Sequence, residues 1–330
     1  MGYPSFCRLP PVYQGIVTAQ PTALHPTPQL VVIGDFNIDV ILGEVESLPR
    51  VGYDTVSPEY AIEPGGSAAI VALGLAKVGW ETDLYANVGN DLFGHYLRDT
   101  ARDSNLRLMN CADDRSESTG LSVAFSKHGD RGFVSVPNPE SGWNALTKML
   151  EAPPKHVHVC YHPYLPGLNG PLADLFKNLR RMGCTLSLDP AGPGPNPIDP
   201  LEALDALGRV DFLFLNEQEC GDLGLKDPPL DSYFDRLADT ILIKRGNRGA
   251  GAFQPNVSME IAERSVEALE TTGAGDNFAV GFLTSWHRLK HLEKAVRAGN
   301  LFGSESTRYA GGVQAQDNFK ALMIDYPDLF

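Results

Sequence analysis

Short apolar runs alternate with amphipathic segments along most of the chain, and their order predicts an α/β fold. Leu30–Ile33 is a continuous apolar run closed by Gly34, which predicts a strand buried on both faces. Beyond residue 156 the pattern predicts strands at 157–161, 185–188, 212–215 and 241–244, with helices at 172–182, 276–289 and 292–310. Strands that alternate with helices form a mostly parallel sheet covered by helices on both faces.

Two regions depart from this alternation. Residues 41–62 combine prolines and glycines with short alternating stretches, which predict short strands outside the main sheet. Strands at 121–125 and 132–136 flank a polar turn, a pattern typical of a β-hairpin. Between these regions, 68–77 is apolar nearly all round, so we expect a buried helix there.

The composition limits the classes of partner. Of the 330 residues, 43% are apolar and 21% are charged, which is typical of a soluble globular protein with a sizeable core. The formal net charge is −14 without a long basic run, which argues against nucleic acid or an anionic membrane as a partner. No apolar stretch reaches the roughly 18 residues of a membrane span. The five cysteines are scattered without a C-x-x-C pair, which favours a reducing, cytoplasmic compartment.

The first 29 residues differ from the rest of the chain. They contain six prolines, one arginine and no acidic residue, and they lack the apolar core of a signal peptide. We interpret 1–29 as a Pro-rich arm that is flexible or lies on the surface, and 30–330 as one domain.

Polar residues and a glycine mark the predicted carboxyl ends of several strands. Ligands of open α/β sheets bind at this edge, so a site is expected there. The residues in these positions are Asp39, His162, Asp189, Asn216, Glu219 and Gly246.

The run Thr271–Phe278 (TTGAGDNF) carries the clearest chemistry. Gly273 and Gly275 allow backbone N–H groups to converge at the start of a helix, whose N-terminus favours an anion such as phosphate. A carboxylate would repel phosphate, so Asp276 makes sense as a base that takes a proton from an attacking hydroxyl. The structural alternative is a glycine-rich helix cap with Asp276 at the N-cap.

Other groups admit two interpretations as well. Asn216 and Glu219 could hold Mg²⁺ through water, or could cap the following helix. Gly65 and Gly66 could admit a ligand close to the backbone, or could allow tight packing, and Asp39 could accept hydrogen bonds from paired hydroxyls or end a solvated strand.

Three histidines and a cysteine alternate along one predicted strand. His156, His158, Cys160 and His162 share one face, so a metal site is conceivable there. Residues two apart on a strand are about 6.6–6.8 Å apart, however, which is too far for one tetrahedral ion without help from other groups. At the end of this strand, His162 could instead reach a substrate.

Taken in order, these motifs resemble those of the ribokinase-like (PfkB) carbohydrate and nucleoside kinases over about 30–315. Thr271–Asp276, followed by Phe278 and Gly281-Phe282, is similar to the C-terminal signature of the family. Gly65–Ala69 through Gly79, with Val88–Asp91 and Phe93-Gly94, resembles its N-terminal signature. Asn216-x-x-Glu219 resembles its magnesium-associated motif.

The resemblance implies an ATP- and Mg²⁺-dependent kinase with a lid at about 41–62 and 119–136 that excludes water, and a homodimer formed through that lid. It implies that Asp276 is the base and that Gly273, Ala274 and Gly275 form the anion hole. It assigns the acceptor to Asp39, Gly65 and Gly66, and the nucleotide side to Asp189, Lys244, Gly246, Gly249 and Asn300. The acceptor itself would be a small molecule, a sugar or a nucleoside.

Two positions depart from the family pattern. Ile70 stands where an asparagine usually contacts the acceptor, so the acceptor is expected to be less polar there. Glu270 replaces an aspartate in a region that helps relatives bind potassium, so potassium dependence stays open.

The leading hypothesis is therefore an ATP-dependent kinase acting on a sugar hydroxyl. A nucleoside kinase of the same family is an alternative that Ile70 permits, because a base needs apolar surface. A sugar or nucleotide sensor without catalysis is a third interpretation, since a fold does not fix a function. A dinucleotide enzyme and a P-loop enzyme are disfavoured, because neither G-x-G-x-x-G after the first strand nor G-x-x-x-x-G-K-[ST] is present.

Overall fold

The computed structural model describes residues 29–45, 47, 49–112, 118–127, 130–137, 143–161, 166–190, 199–225, 230–262 and 266–330. The predicted arm lies outside these ranges except for its last residue. His162 and residues 128–129, at the tip of the predicted hairpin, also lie outside them.

Strands and helices alternate along the described chain. The strands are β1 Leu30–Ile33, β2 Asn37–Glu44, β3 Tyr60–Gly65, β4 Thr82–Ala86, β5 Arg107–Asn110, β6 Leu121–Lys127, β7 Asp130–Val136, β8 His156–Tyr161, β9 Thr185–Pro190, β10 Val210–Asn216, β11 Ala238–Lys244, β12 Ala250–Gln254 and β13 Val257–Ile261. The α-helices are α1 Ser67–Lys77, α2 Leu92–Asp103, α3 Pro166–Arg181, α4 Pro200–Leu207, α5 Glu217–Asp222, α6 Asp231–Phe234, α7 Ala274–Leu289, α8 Leu292–Ser306 and α9 Phe319–Asp325. Short 3-10 segments lie at Trp143–Glu151, Gly246–Arg248, Gln314–Asn318 and Pro327–Leu329.

The larger sheet has the order β13-β12-β11-β10-β9-β8-β1-β4-β5. Neighbouring strands from β11 to β5 run parallel, and β12 and β13 add an antiparallel hairpin at one edge. The carboxyl ends of the parallel strands therefore share one edge, and β9, β10 and β11 bring Asp189, Asn216 and Lys244 to it.

Two hydrophobic cores lie on opposite faces of this sheet. Leu30 and Val32 of β1 belong to the core that α1, α7 and α8 cover. Val31 and Ile33 belong to the core beneath the 3-10 segment at 143–151 and α3. Successive side chains of a strand point to opposite faces, so a strand that is apolar throughout supplies both cores at once.

The smaller sheet has the order β3-β2-β6-β7. Its outer pairs are antiparallel, and its central pair, β2 with β6, is parallel. The predicted mostly parallel sheet with helices on both faces, together with a separate small β-sheet, is confirmed.

Some boundaries and elements differ from the prediction. The first lid strand begins at Asn37, not near residue 41, because Asn37 pairs with Gly65 and Asp39 with Glu63. Asp39 thus belongs to the lid sheet. The last long helix ends at Ser306 rather than 310, and the sequence did not reveal β5, β13 or α4. These short elements have few periodic positions and depend on their neighbours for stability.

Candidate active site

The glycine-rich run forms the start of α7. Gly273 precedes the helix in the left-handed conformation, with φ of 72°. Its carbonyl accepts hydrogen bonds from the backbone and the side chain of Asn277, both at 2.9 Å. A Cβ at residue 273 would lie 2.7 Å from Cα of Gly312, so only glycine fits. The first N–H groups of a helix have no acceptor within it and point away from its start.

Asp276 lies in the first turn of α7 and is half-buried. Burial, followed by the charges of Asp189 and Asp35, raises the pKa of its carboxyl group to about 7. Lys244 and a hydrogen bond with the Ser67 hydroxyl act in the opposite direction. A carboxylate with a pKa near neutrality is a better proton acceptor than an ordinary aspartate.

Lys244 connects this carboxylate to the end of β9. Its Nζ donates to Oδ2 of Asp189 at 2.7 Å, and both side chains are largely buried. Its Nζ would also lie 3.1 Å from a Cβ at residue 275, so the ammonium group sits against the glycine of the helix start. Burial lowers the pKa of Lys244, but Asp189 and Glu219 outweigh it and hold the pKa above its ordinary value.

Asn216 and Glu219 form a reciprocal capping box at the start of α5. Oδ1 of Asn216 accepts the Glu219 N–H at 2.8 Å, and Oε2 of Glu219 accepts the Asn216 N–H at 2.6 Å. Burial raises the pKa of Glu219 to about 7. The capping interpretation is therefore realised, and magnesium binding by the same pair stays a prediction.

Asp39 and the paired glycines meet where the lid joins the main sheet. A side chain at residue 65 would overlap the Asp39 carboxylate, and Gly66 has φ of 97° at the start of α1. Nδ2 of Asn37 donates to Oδ1 of Asp39 at 3.0 Å. Burial, followed by the charge of Asp35, raises the pKa of Asp39 to about 7.

The remaining predicted residues occupy different places. Ile70 is buried in α1, with its Cδ1 3.2 Å from where a Cβ at residue 273 would lie, so it packs behind the glycine run. Asn300 is buried and donates to the Ile261 carbonyl at 3.1 Å. Gly246 and Gly249 turn the chain from β11 into β12 with φ of 57° and 90°.

Sequence reasoning assigned no role to three residues that adjoin the site. Asp35 accepts the Ala68 N–H at 3.1 Å and raises the pKa of both Asp39 and Asp276. Ser67 hydrogen-bonds Asp276, and Glu63 lies beside Asp39 in the lid sheet. The sequence offers a signal for Asp35, because Asp35, Asn37 and Asp39 alternate with Phe36 and Ile38 and so place three polar groups on one side.

The described residues contain neither a cluster of metal ligands nor a helix that could span a membrane. Within the residues that the structure describes, no group of three or more His, Cys, Asp and Glu side chains could hold a metal ion. Among those residues, no helix has the length and apolarity to cross a membrane.

The geometry can be compared with known proteins. Residues 27–318 match the model of the pfkB family carbohydrate kinases. A fructokinase from Klebsiella pneumoniae is 28% identical over 236 residues, which cover 67% of this chain and 76% of the relative. An ATP-dependent ribose-1-phosphate kinase from Halopiger xanaduensis is 28% identical over 274 residues, which cover 82% of this chain and 89% of the relative.

A solved structure shares the fold. The ribokinase of Arabidopsis thaliana complexed with ribose and ATP superposes with a TM-score of 0.72 at 22% identity, covering 91% of this chain and 98% of that one. A likeness at this identity establishes the fold. Together with the family match across 27–318, it confirms the resemblance carried by the three sequence motifs. The chain belongs to the pfkB family of carbohydrate kinases.

Proposed function

We propose that the protein transfers the γ-phosphoryl group of ATP to a hydroxyl group of a sugar, with Asp276 as the base. The observation that carries this proposal is the position of Asp276. It lies in the first turn of α7, directly after the Gly273–Gly275 run, and its pKa is raised to about 7. A base and an anion site are thereby adjacent, as phosphoryl transfer requires.

The reaction proceeds by in-line displacement. Asp276 accepts the proton of the acceptor hydroxyl, whose oxygen forms a bond to the γ-phosphorus as the bond from that phosphorus to ADP breaks. The N–H groups of Gly273, Ala274 and Gly275 stabilise the charge on the transferring group. Lys244 supplies a positive charge beside Gly275. We assign ATP to the side of the cleft where Asp189, Lys244 and the Gly246–Gly249 turn lie.

The proposed mechanism has a place for magnesium but none for potassium. Asn216 and Glu219 would hold Mg²⁺ through water, and the ion would neutralise phosphate charge when bound. Carboxylate and amide oxygens of this kind suit that ion. Potassium enters no step.

Charge at the acceptor end favours an uncharged sugar. Four carboxylates lie around this end of the cleft: Asp35, Asp39, Glu63 and Glu270. All three neighbours of Asp39 in this set raise its pKa, which indicates that their charges act on the same space. A sugar phosphate would bring up to two further negative charges into it.

We expect mass spectrometry of a reaction panel to detect a product 80 Da heavier (about the mass of one added HPO₃ group) from an unphosphorylated sugar. The panel combines ATP and Mg²⁺ with neutral sugars, their phosphate monoesters and nucleosides. A product from nucleosides alone would favour the nucleoside kinase, and ATP consumption at background with every acceptor would favour a sensor without catalysis. Preferred use of the phosphate monoesters would contradict the inferred acceptor charge.

We also propose that the lid sheet mediates a homodimer. Large apolar side chains are exposed on its two edge strands: Tyr60 and Ile62 of β3, and Phe133, Val134 and Val136 of β7. Exposed apolar residues grouped on one small sheet are typical of an interaction surface.

We expect light scattering to give the mass of a dimer for the wild type and of a monomer for the double variant Ile62→Asp/Phe133→Asp. The control Ile324→Asp changes an exposed apolar residue on α9, so it should remain dimeric. A monomeric wild type would contradict the proposed interface.

A further inference from the structure

We infer that Glu270 is a positioning residue, which fixes the anion-hole loop against residues 307–312 and makes the reaction independent of a monovalent cation. Glu270 is 7% exposed and directly precedes the Thr271–Asp276 run. The proposed catalytic steps do not use this buried carboxylate, so it requires a different account.

Each oxygen of the Glu270 carboxylate accepts a backbone N–H group from a different segment. Oε1 accepts the N–H of Thr272, within the anion-hole loop. Oε2 accepts the N–H of Gly311 at 2.6 Å, in the segment after α8. Hydrogen bonds to an ionised acceptor are stronger than neutral ones, and two of them fix the carboxylate in orientation.

The backbone reinforces the same connection. The N–H groups of Leu269 and Glu270 both donate to the Thr307 carbonyl, at 2.7 and 3.0 Å. Residues 269–272 are thereby held against 307–311 by main-chain and side-chain bonds together. Replacing Glu270 with alanine would remove the side-chain bonds and leave the main-chain bonds to Thr307 in place.

The segment held by Glu270 forms the back of the anion hole. Nδ2 of Asn277 donates to the carbonyls of both Gly273 and Gly312, at 2.9 and 2.8 Å. A Cβ at residue 273 would lie 2.7 Å from Cα of Gly312, and a Cβ at residue 312 would overlap the Ile70 side chain, so neither position could carry a side chain without displacement. The position of 311–312 therefore determines where Gly273 and the first N–H groups of α7 lie.

The same segment contacts the lid. A Cβ at residue 311 would lie 3.7 Å from Cγ of Glu63 and from Cδ1 of Ile41. Nε2 of Gln314 donates to Oε1 of Glu63 at 2.9 Å. Glu270 thus connects the phosphate end of the cleft, through 311–314, to the strand that carries the acceptor end.

The groups that hydrogen-bond the Glu270 carboxylate do not suit a potassium ion. A cation of this kind binds oxygen atoms, whereas the backbone groups that face the Glu270 carboxylate from Thr272 and Gly311 are N–H donors. These dipoles already stabilise the negative charge. The family resemblance implies a potassium site in this region, and the residues present at position 270 disagree with it.

The experiment combines kinetics with amide hydrogen exchange. In Glu270→Ala we expect peptides that contain Thr272 and Gly311 to exchange about tenfold faster than in the wild type, with the rest of the protein unchanged. We expect kcat to fall by about tenfold to a hundredfold, because the anion-hole loop is misplaced. The KM for ATP and the KM for the acceptor should change little, because the groups that bind these substrates remain. Wild-type turnover should be the same in potassium chloride and in choline chloride.

Glu267→Gln is the matched control, because Glu267 is exposed in the same segment. It should leave exchange and kcat unchanged. Unchanged exchange at Thr272 and Gly311 in Glu270→Ala, or strong activation of the wild type by potassium, would overturn the inference. The inference rests on the proposed function only for its kinetic part. Amide exchange needs no substrate, so its outcome is distinct from a failure to find an acceptor.

Discussion

Replacing Asp276 with asparagine is expected to lower kcat by about 10³-fold, because general base catalysis contributes about 10²–10⁴-fold and an amide cannot accept the proton. The N–H groups of Gly273–Gly275 and the ammonium group of Lys244 are unchanged, so binding of ATP should persist. Steady-state kinetics and calorimetric titration with ATP measure the two quantities separately. Turnover like that of the wild type would contradict the role of Asp276.

The same variant should be more stable than the wild type at pH 8. The pKa of Asp276 is about 7 in the folded protein, compared with 3.8 for an unperturbed aspartate. Between pH 3.8 and pH 7 the folded state therefore binds more protons than the unfolded state. Folding stability from this group is present below pH 3.8 and is lost as the pH rises through 7. Asparagine carries no such penalty. A higher melting temperature with lower kcat would therefore exclude misfolding as the cause, and Asp325→Asn, on the exposed side of α9, should change neither.

Replacing Lys244 with methionine is expected to lower kcat/KM for ATP by about 10²-fold at pH 7, since hydrogen bonds to charged groups contribute about 1.5–3 kcal/mol. This substitution should also shift the acid limb of the pH dependence of kcat/KM to higher pH. Lys244 lowers the pKa of Asp276, so its removal raises the pH at which the base becomes ionised. Part of the lost activity should return at alkaline pH.

The direction of this shift distinguishes Asp276 from Asp39 as the titrating group. Asp39 also has a pKa of about 7, but its pKa is set by burial, Asp35, Glu270 and Glu63 rather than by Lys244. An acid limb that stays in place in Lys244→Met would therefore assign it to Asp39 and contradict our choice of base. Lys244→Arg keeps the charge and should keep the limb, and Lys320→Met, at an exposed position on α9, should leave the profile unchanged.

Local patterns predicted much of the fold. The buried strands follow from their short apolar runs, the helix at 67–77 from its apolar character, and the helix at 274–289 from its amphipathic pattern. The glycines at 65, 66 and 273 mark turns that other residues cannot adopt or fill. The short elements β5, β13 and α4 were missed, because a few residues carry too little pattern. The extent of β2 depended on its pairing with β3, which is a contact between segments that are distant in the sequence.

The candidate site likewise has features that the sequence predicted and features that only the structure revealed. Asp276 and its glycines are contiguous, so the sequence alone suggested the chemistry that we propose for them. The partners that set the pKa of Asp276 come from distant segments: Asp189 from β9, Lys244 from β11, Asp35 from the turn between β1 and β2, and Ser67 from the start of α1. No spacing in the sequence indicates that Lys244 lies against Gly275 or that Glu270 bonds Gly311.

The sequence by itself determined the alternating α/β architecture, the glycine-rich run with its carboxylate, and membership of the kinase family, because each depends on residues that are neighbours or on motifs in fixed order. Only the tertiary structure decided how burial and neighbouring charges tune that carboxylate. The same is true of the capping contacts of Asn216 and Glu219, the packing of Ile70 behind the glycines, and the bonds of Glu270 to two loops. The physical reason is that burial, charge and hydrogen bonding act through distance in space, which parallel strands and their crossover helices set independently of distance along the chain.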